Sequence, residues 1–329
     1  MNKIYNQDFL TNSIPDKSVQ LIIADPPYFE VKGDFDFIWK SFDDYLVDVE
    51  KWAIECKRVL ADNGTLFWWG MDRKIAYSQI ILDKYFNLIG TPVWEKPSIA
   101  NEWDTRRTFP ERGQERLLMY SNGEENTGLQ SIYSNPDCFQ SIKKYMRDER
   151  DSLMKAKGFT TISDFNNFIN KLTETKSVVS RHYFADSQYC FPTEGIYRKM
   201  QETGFWQRPY LTIENEYLGL KNEYEQLRIE YEELRRPFDN SMKLTDVLRF
   251  SREHNATHPT QKPETLTRAL ILTCSRPNDL VLAPFAGSGT ECAMAAKEGR
   301  NFIGFEITER HAVMAQKRAN VFLSQQKLF

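Results

Sequence analysis

The residues best suited to chemistry form a short motif near the N-terminus, Asp25-Pro26-Pro27-Tyr28. The motif follows the apolar run 20–24, and because consecutive prolines cannot continue a central strand, the strand is predicted to end at Asp25. The Asp25 carboxylate and the Pro26 carbonyl oxygen could each accept one hydrogen of a ring amino group, while Tyr28 stacks on the ring. The alternative interpretation is a turn that closes a strand, with Tyr28 on the surface.

A glycine-containing motif near the C-terminus lies between a predicted strand and a predicted helix. It reads Phe285-Ala286-Gly287-Ser288-Gly289-Thr290. Two glycines one residue apart allow a sharp turn and a close approach to a ligand. The motif is not a P-loop, because no Lys follows Gly289, and it is not a full dinucleotide motif, because position 292 is Cys. Glu306 ends the next predicted strand, where its carboxylate could bind a ribose diol. These residues predict a nucleoside cofactor, with tight helix–strand packing as the alternative.

A third motif, His258-Pro259-Thr260-Gln261-Lys262-Pro263, completes a set that resembles the amino-group DNA methyltransferases. The order, with the catalytic motif first and the cofactor motif last, resembles the β class of N6-adenine enzymes. The resemblance covers residues 1–125 and 245–325. It implies site-specific transfer of a methyl group from S-adenosyl-L-methionine to N6 of an adenine flipped out of double-stranded DNA. N4-cytosine methylation and an inactive DNA-binding regulator are the alternatives.

The resemblance also implies roles for individual residues. Asp25, Pro26, Pro27 and Tyr28 would be catalytic. The residues implied in cofactor binding are Asp8, Phe9, Asp25, Thr260, Lys262, Phe285, Ala286, Gly287, Ser288, Gly289, Thr290 and Glu306. One departure from the family is Ala283, because the family usually has an Asp there, close to the methionine amino group. The cofactor could therefore bind more weakly, or Asp25 or a backbone carbonyl could substitute.

Alternating strands and helices must position these motifs. Helices are predicted over 42–60 and 72–84, and strands over 65–69, 88–95 and 115–121. This alternation predicts an α/β fold with a mostly parallel sheet. The resemblance implies a permuted S-adenosylmethionine-dependent methyltransferase fold, with a seven-stranded sheet, helices on both faces and a helical insert. The segment Lys3-Ile4-Tyr5-Asn6 would join the sheet beside the C-terminal strand, so the termini would lie close together.

The middle of the chain differs in composition from the two ends. We therefore predict three segments. Two catalytic halves, 1–135 and 241–329, flank a helical target-recognition insert over 136–240. Residues 141–210 carry 12 Lys and Arg against 8 Asp and Glu, which is typical of a nucleic-acid-facing surface or of a solvated one. Residues 177–183 resemble the third helix of a helix-turn-helix unit, or else part of a structural cap. The candidate DNA contacts are Lys32, Trp39, Arg106, Arg107 and Arg181.

A heptad pattern near the end of the insert predicts a long helix over 213–234. Its apolar positions are Ile213, Tyr217, Leu220, Tyr224, Leu227, Tyr231 and Leu234. This stripe could pack on its own domain or pair with a second copy of the chain as a homodimer.

Composition excludes several classes of protein. The chain has 329 residues, of which 41% are hydrophobic and 27% charged, so it has material for a packed core. No apolar run is long enough for a membrane span, and the first residues lack the apolar stretch of a signal peptide. Five scattered cysteines suit a reducing compartment, so we expect a cytoplasmic protein. The four histidines form no ligand cluster in the sequence, and no metal is expected.

Overall fold

The computed structural model describes residues 2–30, 38–71, 74–96, 113–123, 137–174, 182–185, 189–253 and 261–326. The chain forms two compact units. Met1–Glu125 and Arg236–Phe329 form one, which we call the sheet unit. Asn126–Arg235 form the other, which we call the helical unit.

The sheet unit is built on a nine-stranded mixed sheet. The strands are β1 (Lys3–Tyr5), β2 (Val19–Ala24), β3 (Leu60–Gly70), β4 (Asn87–Gly90), β5 (Val93–Glu95), β6 (Gln114–Ser121), β7 (Val247–Arg249), β8 (Leu280–Ala283) and β9 (Asn301–Phe305). Their order is β1-β9-β8-β2-β3-β6-β5-β7, and β4 also pairs with β6. Strand β6 runs antiparallel to β3, β4 and β5, whereas the other described pairs are parallel.

The helices of both units are named here in chain order. They are α1 (Phe42–Val59), α2 (Ile75–Leu82), α3 (Gln140–Lys157), α4 (Ile162–Thr173), α5 (Glu194–Gln201), α6 (Tyr210–Leu234), α7 (Glu264–Cys274), α8 (Thr290–Lys297) and α9 (Glu309–Gln326). Helix α1 shows why these segments are helical. The Ser41 side chain accepts a hydrogen bond from the Asp44 N–H at its start, and Lys57 and Arg58 stand in its last turn.

The sheet carries apolar residues on both faces, because successive side chains of a strand point to opposite sides. Leu21 and Ile23 of β2 pack in one core cluster with residues of α7, α8 and α9. Ile22 and Ala24 pack in the other with residues of α1 and α2. The helices therefore cover both faces, and the predicted α/β fold with a mostly parallel sheet is confirmed.

Three details of the sheet bear on the predictions. Strand β1 lies parallel to β9, with Lys3 opposite Ile303, so the first strand joins the sheet where the resemblance placed it. The sheet has nine described strands where seven were expected, because the edge adds short strands. The predicted strand 88–95 is in fact two, β4 and β5, separated at Pro92, which has no N–H for a ladder hydrogen bond.

The helical unit has its own aromatic core, to which α3, α4, α5 and α6 all contribute. Gly158, with a φ of 68°, directly follows α3 and caps its C-terminal end. Helix α4 begins with a capping box between Thr161 and Asp164. Helix α5 was not predicted. The segment 177–183, which resembles a third helix, lies mostly outside the described residues, since only its last two positions are described.

The heptad stripe of α6 has two different environments. Ile213 is buried in the core of the helical unit, and Tyr217 and Leu220 pack against that core. Leu227 and Leu234 are 60% and 74% exposed. The side chain of Tyr231 lies outside the described residues. The first half of the stripe therefore packs on its own unit, as one of the two interpretations had it. None of the helices that can be described is apolar enough over sufficient length to cross a membrane.

Candidate active site

Three adjacent parallel strands, β9, β8 and β2, end at one edge of the sheet, where a cavity of about 380 Å³ opens. The carboxyl ends of parallel strands are where open α/β sheets bind ligands. The cavity brings together residues from all the described motifs. Those predicted as site residues that line it are Asp8, Phe9, Asp25, Pro26, Pro27, Tyr28, Trp39, Lys262, Phe285, Ala286, Gly287, Ser288 and Glu306.

Both oxygens of the Asp25 carboxylate are engaged by residues of the site. The Tyr28 hydroxyl donates to Asp25 Oδ1 at 2.6 Å, and Lys262 Nζ donates to Oδ2 at 2.7 Å. Burial and the neighbouring Asp25 charge raise the pKa of Tyr28 well above its usual value, so the phenol keeps its proton. The proton donated to Oδ1 is therefore that of Tyr28, and Asp25 is oriented from two sides.

Lys262 is 3% exposed and lies between two carboxylates. Its Nζ is 2.7 Å from Asp25 Oδ2 and 3.1 Å from Glu115 Oε2. Burial lowers the pKa of Lys262, but the charges of Asp25 and Glu115 outweigh burial and raise it overall. Lys96 also pairs with Glu115, so the buried cluster contains two cations and two anions.

The glycine motif and Glu306 are joined by backbone hydrogen bonds. The Gly287 N–H donates to Glu306 Oε2 at 3.0 Å, and the Thr308 N–H donates to Oε1 at 2.8 Å. Gly287 has a φ of 47°, in the left-handed region that glycine tolerates best. These bonds fix the Glu306 carboxylate at the cavity wall, with acceptor capacity left for a ligand.

The second glycine of the motif, Gly289, is required for packing between the motif and a helix. Gly289 has a φ of 74°, and a Cβ added there would lie 2.6 Å from the Ala315 Cβ on α9. Gly289 is therefore required for tight packing of the motif against α9, which was the alternative interpretation, and not for close approach to a ligand. Gly289 and Thr290 lie behind the cavity wall, where the Thr290 hydroxyl is 2.9 Å from that of Ser288.

Aromatic side chains form the wall near Asp8. The Asp8 carboxylate accepts a hydrogen bond from the Leu10 N–H at 2.9 Å, which starts a short 3-10 helix over Phe9–Thr11. The rings of Phe9 and Phe285 have their centroids 6.4 Å apart, and Trp52 meets Phe285 edge-on at 4.9 Å. This end of the cavity suits a planar ring beside a carboxylate.

Several predicted residues are placed differently or cannot be placed. Trp39 lines the cavity, but its indole N–H donates to Asp48 at 2.8 Å and its ring packs against Tyr45 and Trp52. It is thus part of an aromatic cluster. The others, Lys32, Arg106, Arg107, Thr260 and Arg181, lie outside the described residues.

Three charged residues of this region were missed in the sequence, and two of them, Glu115 and Glu291, are buried. Glu115 and Lys96 belong to the Lys262 cluster, and Glu291 lines the cavity. Glu291 directly follows the glycine motif, so its position could have drawn notice. Glu115 and Lys96 gave no local signal, because nothing in their neighbourhood predicts burial.

Comparison with known proteins places this geometry in a family. Residues 19–317 match the N6_N4_Mtase family, described as DNA methylase. The chain belongs to the DNA methylase family. It is a DNA methyltransferase, and its methyl donor is S-adenosyl-L-methionine.

Individual relatives are distant but extend over most of this DNA methylase. It is 28% identical over 313 residues to DNA adenine methyltransferase YhdJ of Escherichia coli K12, covering 94% of the chain and 78% of the relative. It is 25% identical over 325 residues to Type II methyltransferase M.HinfI of Haemophilus influenzae, covering 93% of the chain and 64% of the relative.

Solved structures share the fold of this DNA methylase. TTHA0409 of Thermus thermophilus, complexed with S-adenosyl-L-methionine, has a TM-score of 0.51 at 18% identity, covering 98% of this chain and 96% of the other. The cytosine-N4-specific PvuII DNA methyltransferase has the same TM-score at 13% identity, covering 98% and 91%. The fold is therefore shared with an enzyme that is specific for cytosine N4, and the fold by itself does not select adenine as the target.

The residues of the cavity fit such a cofactor. An acidic residue fixed at the glycine loop, Glu306, suits a ribose diol. The aromatic end near Phe9 suits the adenine ring, and the carboxylates of the wall suit a molecule with a net positive charge.

Proposed function

We propose that this enzyme transfers the methyl group of S-adenosyl-L-methionine to N6 of adenine in double-stranded DNA. The observation that carries the proposal is that the Asp25 motif and the glycine motif line the same cavity. The choice of adenine is supported by the similarity to a relative named as an adenine methyltransferase. S-adenosyl-L-methionine supplies an electrophilic methyl group on a sulfonium.

In this proposal Asp25 and Pro26 hold the amino group of the target base. The Asp25 carboxylate and the Pro26 carbonyl oxygen each accept one amino hydrogen, which draws the nitrogen lone pair out of conjugation with the ring. The prolines fix φ, and the two acceptors are preorganised at the end of β2. The adenine must leave the base stack, which costs a few kcal/mol.

Tyr28 would exchange one contact for another when the base binds. Its hydroxyl donates to Asp25 Oδ1, which is an oxygen that the amino group would use. The base would displace this hydrogen bond, and the Tyr28 ring would stack on the base. Lys262 would stay on Oδ2 and keep the carboxylate oriented.

The cofactor would lie between the aromatic end and the Lys262 end of the same cavity. Asp8 and Phe9 would contact its adenine, Glu306 its ribose, and the loop of Phe285, Ala286, Gly287 and Ser288 its methionine part. Gly289 and Thr290 would shape that loop from behind, and Thr260 would lie over the methionine end with Lys262.

Mass spectrometry of nucleosides tests the reaction. DNA incubated with the enzyme and cofactor should yield N6-methyladenine, and Asp25→Ala should lower the yield by about a hundredfold or more, as loss of a key polar contact does. Asp62→Asn, which changes an exposed acid, is the control. N4-methylcytosine as the sole product would replace adenine by cytosine as target. Equal, negligible transfer by wild type and Asp25→Ala, with DNA binding retained by both, would make the protein a regulator without activity.

We further propose that the helical unit recognises the target sequence, with Arg181 among its DNA contacts. Lys32, Arg106 and Arg107 of the sheet unit are proposed as further DNA contacts, and Trp39 is proposed to contact DNA with the part of its ring that lines the cavity. The excess of basic residues in 141–210 supports this. Substituting a residue that contacts phosphate should lower the salt dependence of DNA binding, with the logarithmic slope falling by about one. An unchanged slope would remove that residue from the interface.

A second copy of the chain is also proposed as a partner. The exposed Leu227 and Leu234 continue the stripe that Ile213 begins, which leaves apolar surface for a matching helix. In analytical ultracentrifugation Leu227→Glu should convert a dimeric wild type into a monomer. A monomeric wild type, or an unchanged dimer, would contradict the proposal. The location proposed is cytoplasmic, consistent with five free cysteines.

A further inference from the structure

Glu291 is a buried carboxylic acid in the wall of the cavity that the predicted reaction does not use. It is the second residue of α8, its residue exposure is 5%, and it lines the same cavity as Asp25 and Lys262. A buried carboxylate costs free energy unless it is paired. Its burial therefore needs an explanation.

The described cavity wall contains five acids, and four of them have partners on other residues. Asp25 is bound by Tyr28 and Lys262, and Glu306 by two backbone N–H groups. Asp8 accepts from Leu10 N–H, and Asp48 from Trp39 and Lys51. Within the described residues the Glu291 carboxylate makes no ion pair and no hydrogen bond to another residue.

The charged groups near Glu291 do not supply the missing partner. Burial raises its pKa to about 7, the charge of Asp25 adds to this, and Lys262 and Arg318 counteract it in part. Lys262 is committed to Asp25 and Glu115. Arg318 pairs with Glu264 and donates to the Thr290 hydroxyl at 3.0 Å. A cation brought by a ligand would therefore complete the site.

The cofactor carries two positive charges, and only one can donate hydrogen bonds. The sulfonium is bonded to three carbons and has no hydrogen to give, whereas the α-ammonium of the methionine part has three. We propose that the Glu291 carboxylate binds the α-ammonium group of S-adenosyl-L-methionine. This assigns an acid to the methionine amino group in a chain that has Ala283, a buried and uncharged residue, at the end of β8.

Because the inference rests on the assigned cofactor, its test separates the amino group from the remainder of the ligand. Isothermal titration calorimetry would compare S-adenosylhomocysteine with its deaminated analogue, which lacks only the amino group. Wild type and Glu291→Gln would be measured with both ligands. Glu309→Gln, which changes an exposed acid at the start of α9, is the matched control.

Glu291→Gln should weaken S-adenosylhomocysteine about tenfold or more, the loss expected for one charge-assisted hydrogen bond, and leave the deaminated analogue unchanged. The control should bind both ligands as wild type does. An equal change for both ligands, or no change for either, would overturn the role of Glu291. Failure of the wild type to bind S-adenosylhomocysteine at all would instead overturn the cofactor assignment.

Discussion

Replacing Glu291 with Gln should stabilise the protein at pH 8 and have little effect at pH 5. Burial raises the pKa of Glu291 from 4.5 to about 7, so the folded protein holds this proton where the unfolded chain has released it. Stability therefore falls as pH rises from 4.5 to about 7, because the folded state binds more protons. At about 1.4 kcal/mol per pKa unit, the neutral substitute should recover about 3 kcal/mol above pH 7.

Urea unfolding at pH 5, 6, 7 and 8, followed by tryptophan fluorescence, measures this difference. The gap between Glu291→Gln and wild type should widen with pH and level off above pH 7. Glu309→Gln should follow the wild-type curve, because this side chain is exposed. A gap that is constant with pH, or a variant less stable than wild type at pH 8, would refute the reasoning, since the carboxylate would then be stabilised within the protein itself.

The buried charge cluster and the glycine motif give two more predictions. Glu115→Gln leaves Lys262 and Lys96 short of an anion, so the free energy of unfolding in urea should fall by about 3 kcal/mol. Burial raises the pKa of Glu115, but the charges of Lys262 and Lys96 outweigh burial and lower that pKa overall. The difference in unfolding free energy between wild type and Glu115→Gln should therefore shrink as pH falls below 4.5. An equal loss of stability from Asp62→Asn, which changes an exposed acid, would contradict this account. Gly289→Ala should lower the thermal midpoint, because its Cβ would lie 2.6 Å from the Ala315 Cβ and 2.8 Å from the Ala315 Cα. Ala315→Gly in that variant removes the first of these contacts and should recover part of the loss. An unchanged thermal midpoint in Gly289→Ala would contradict this account.

Much of the catalytic edge could be predicted because its signals are local. Paired prolines cannot continue a central strand, so Asp25 was expected at the end of one, and β2 does end at Ala24. The glycine motif and Glu306 are separated by one short helix and one strand, and this spacing returns Glu306 to the loop. The alternation of helices and strands likewise follows from short-range hydrophobic patterns.

The sequence could not show which residues, distant along the chain, are buried together in the fold. Lys262 and Asp25 are 237 positions apart, and they pair only because the segment before α7 meets the end of β2. Glu115 looks like any charged residue at the start of a strand until β6 pairs with β5 and brings it beside Lys96 and Lys262. Glu291 is similar, because burial against the cavity, and not its residue type, raises its pKa. The local sequence thus determined where the strands end and which charged side chains lie at those ends. Only the tertiary packing decided which of these side chains are buried away from water.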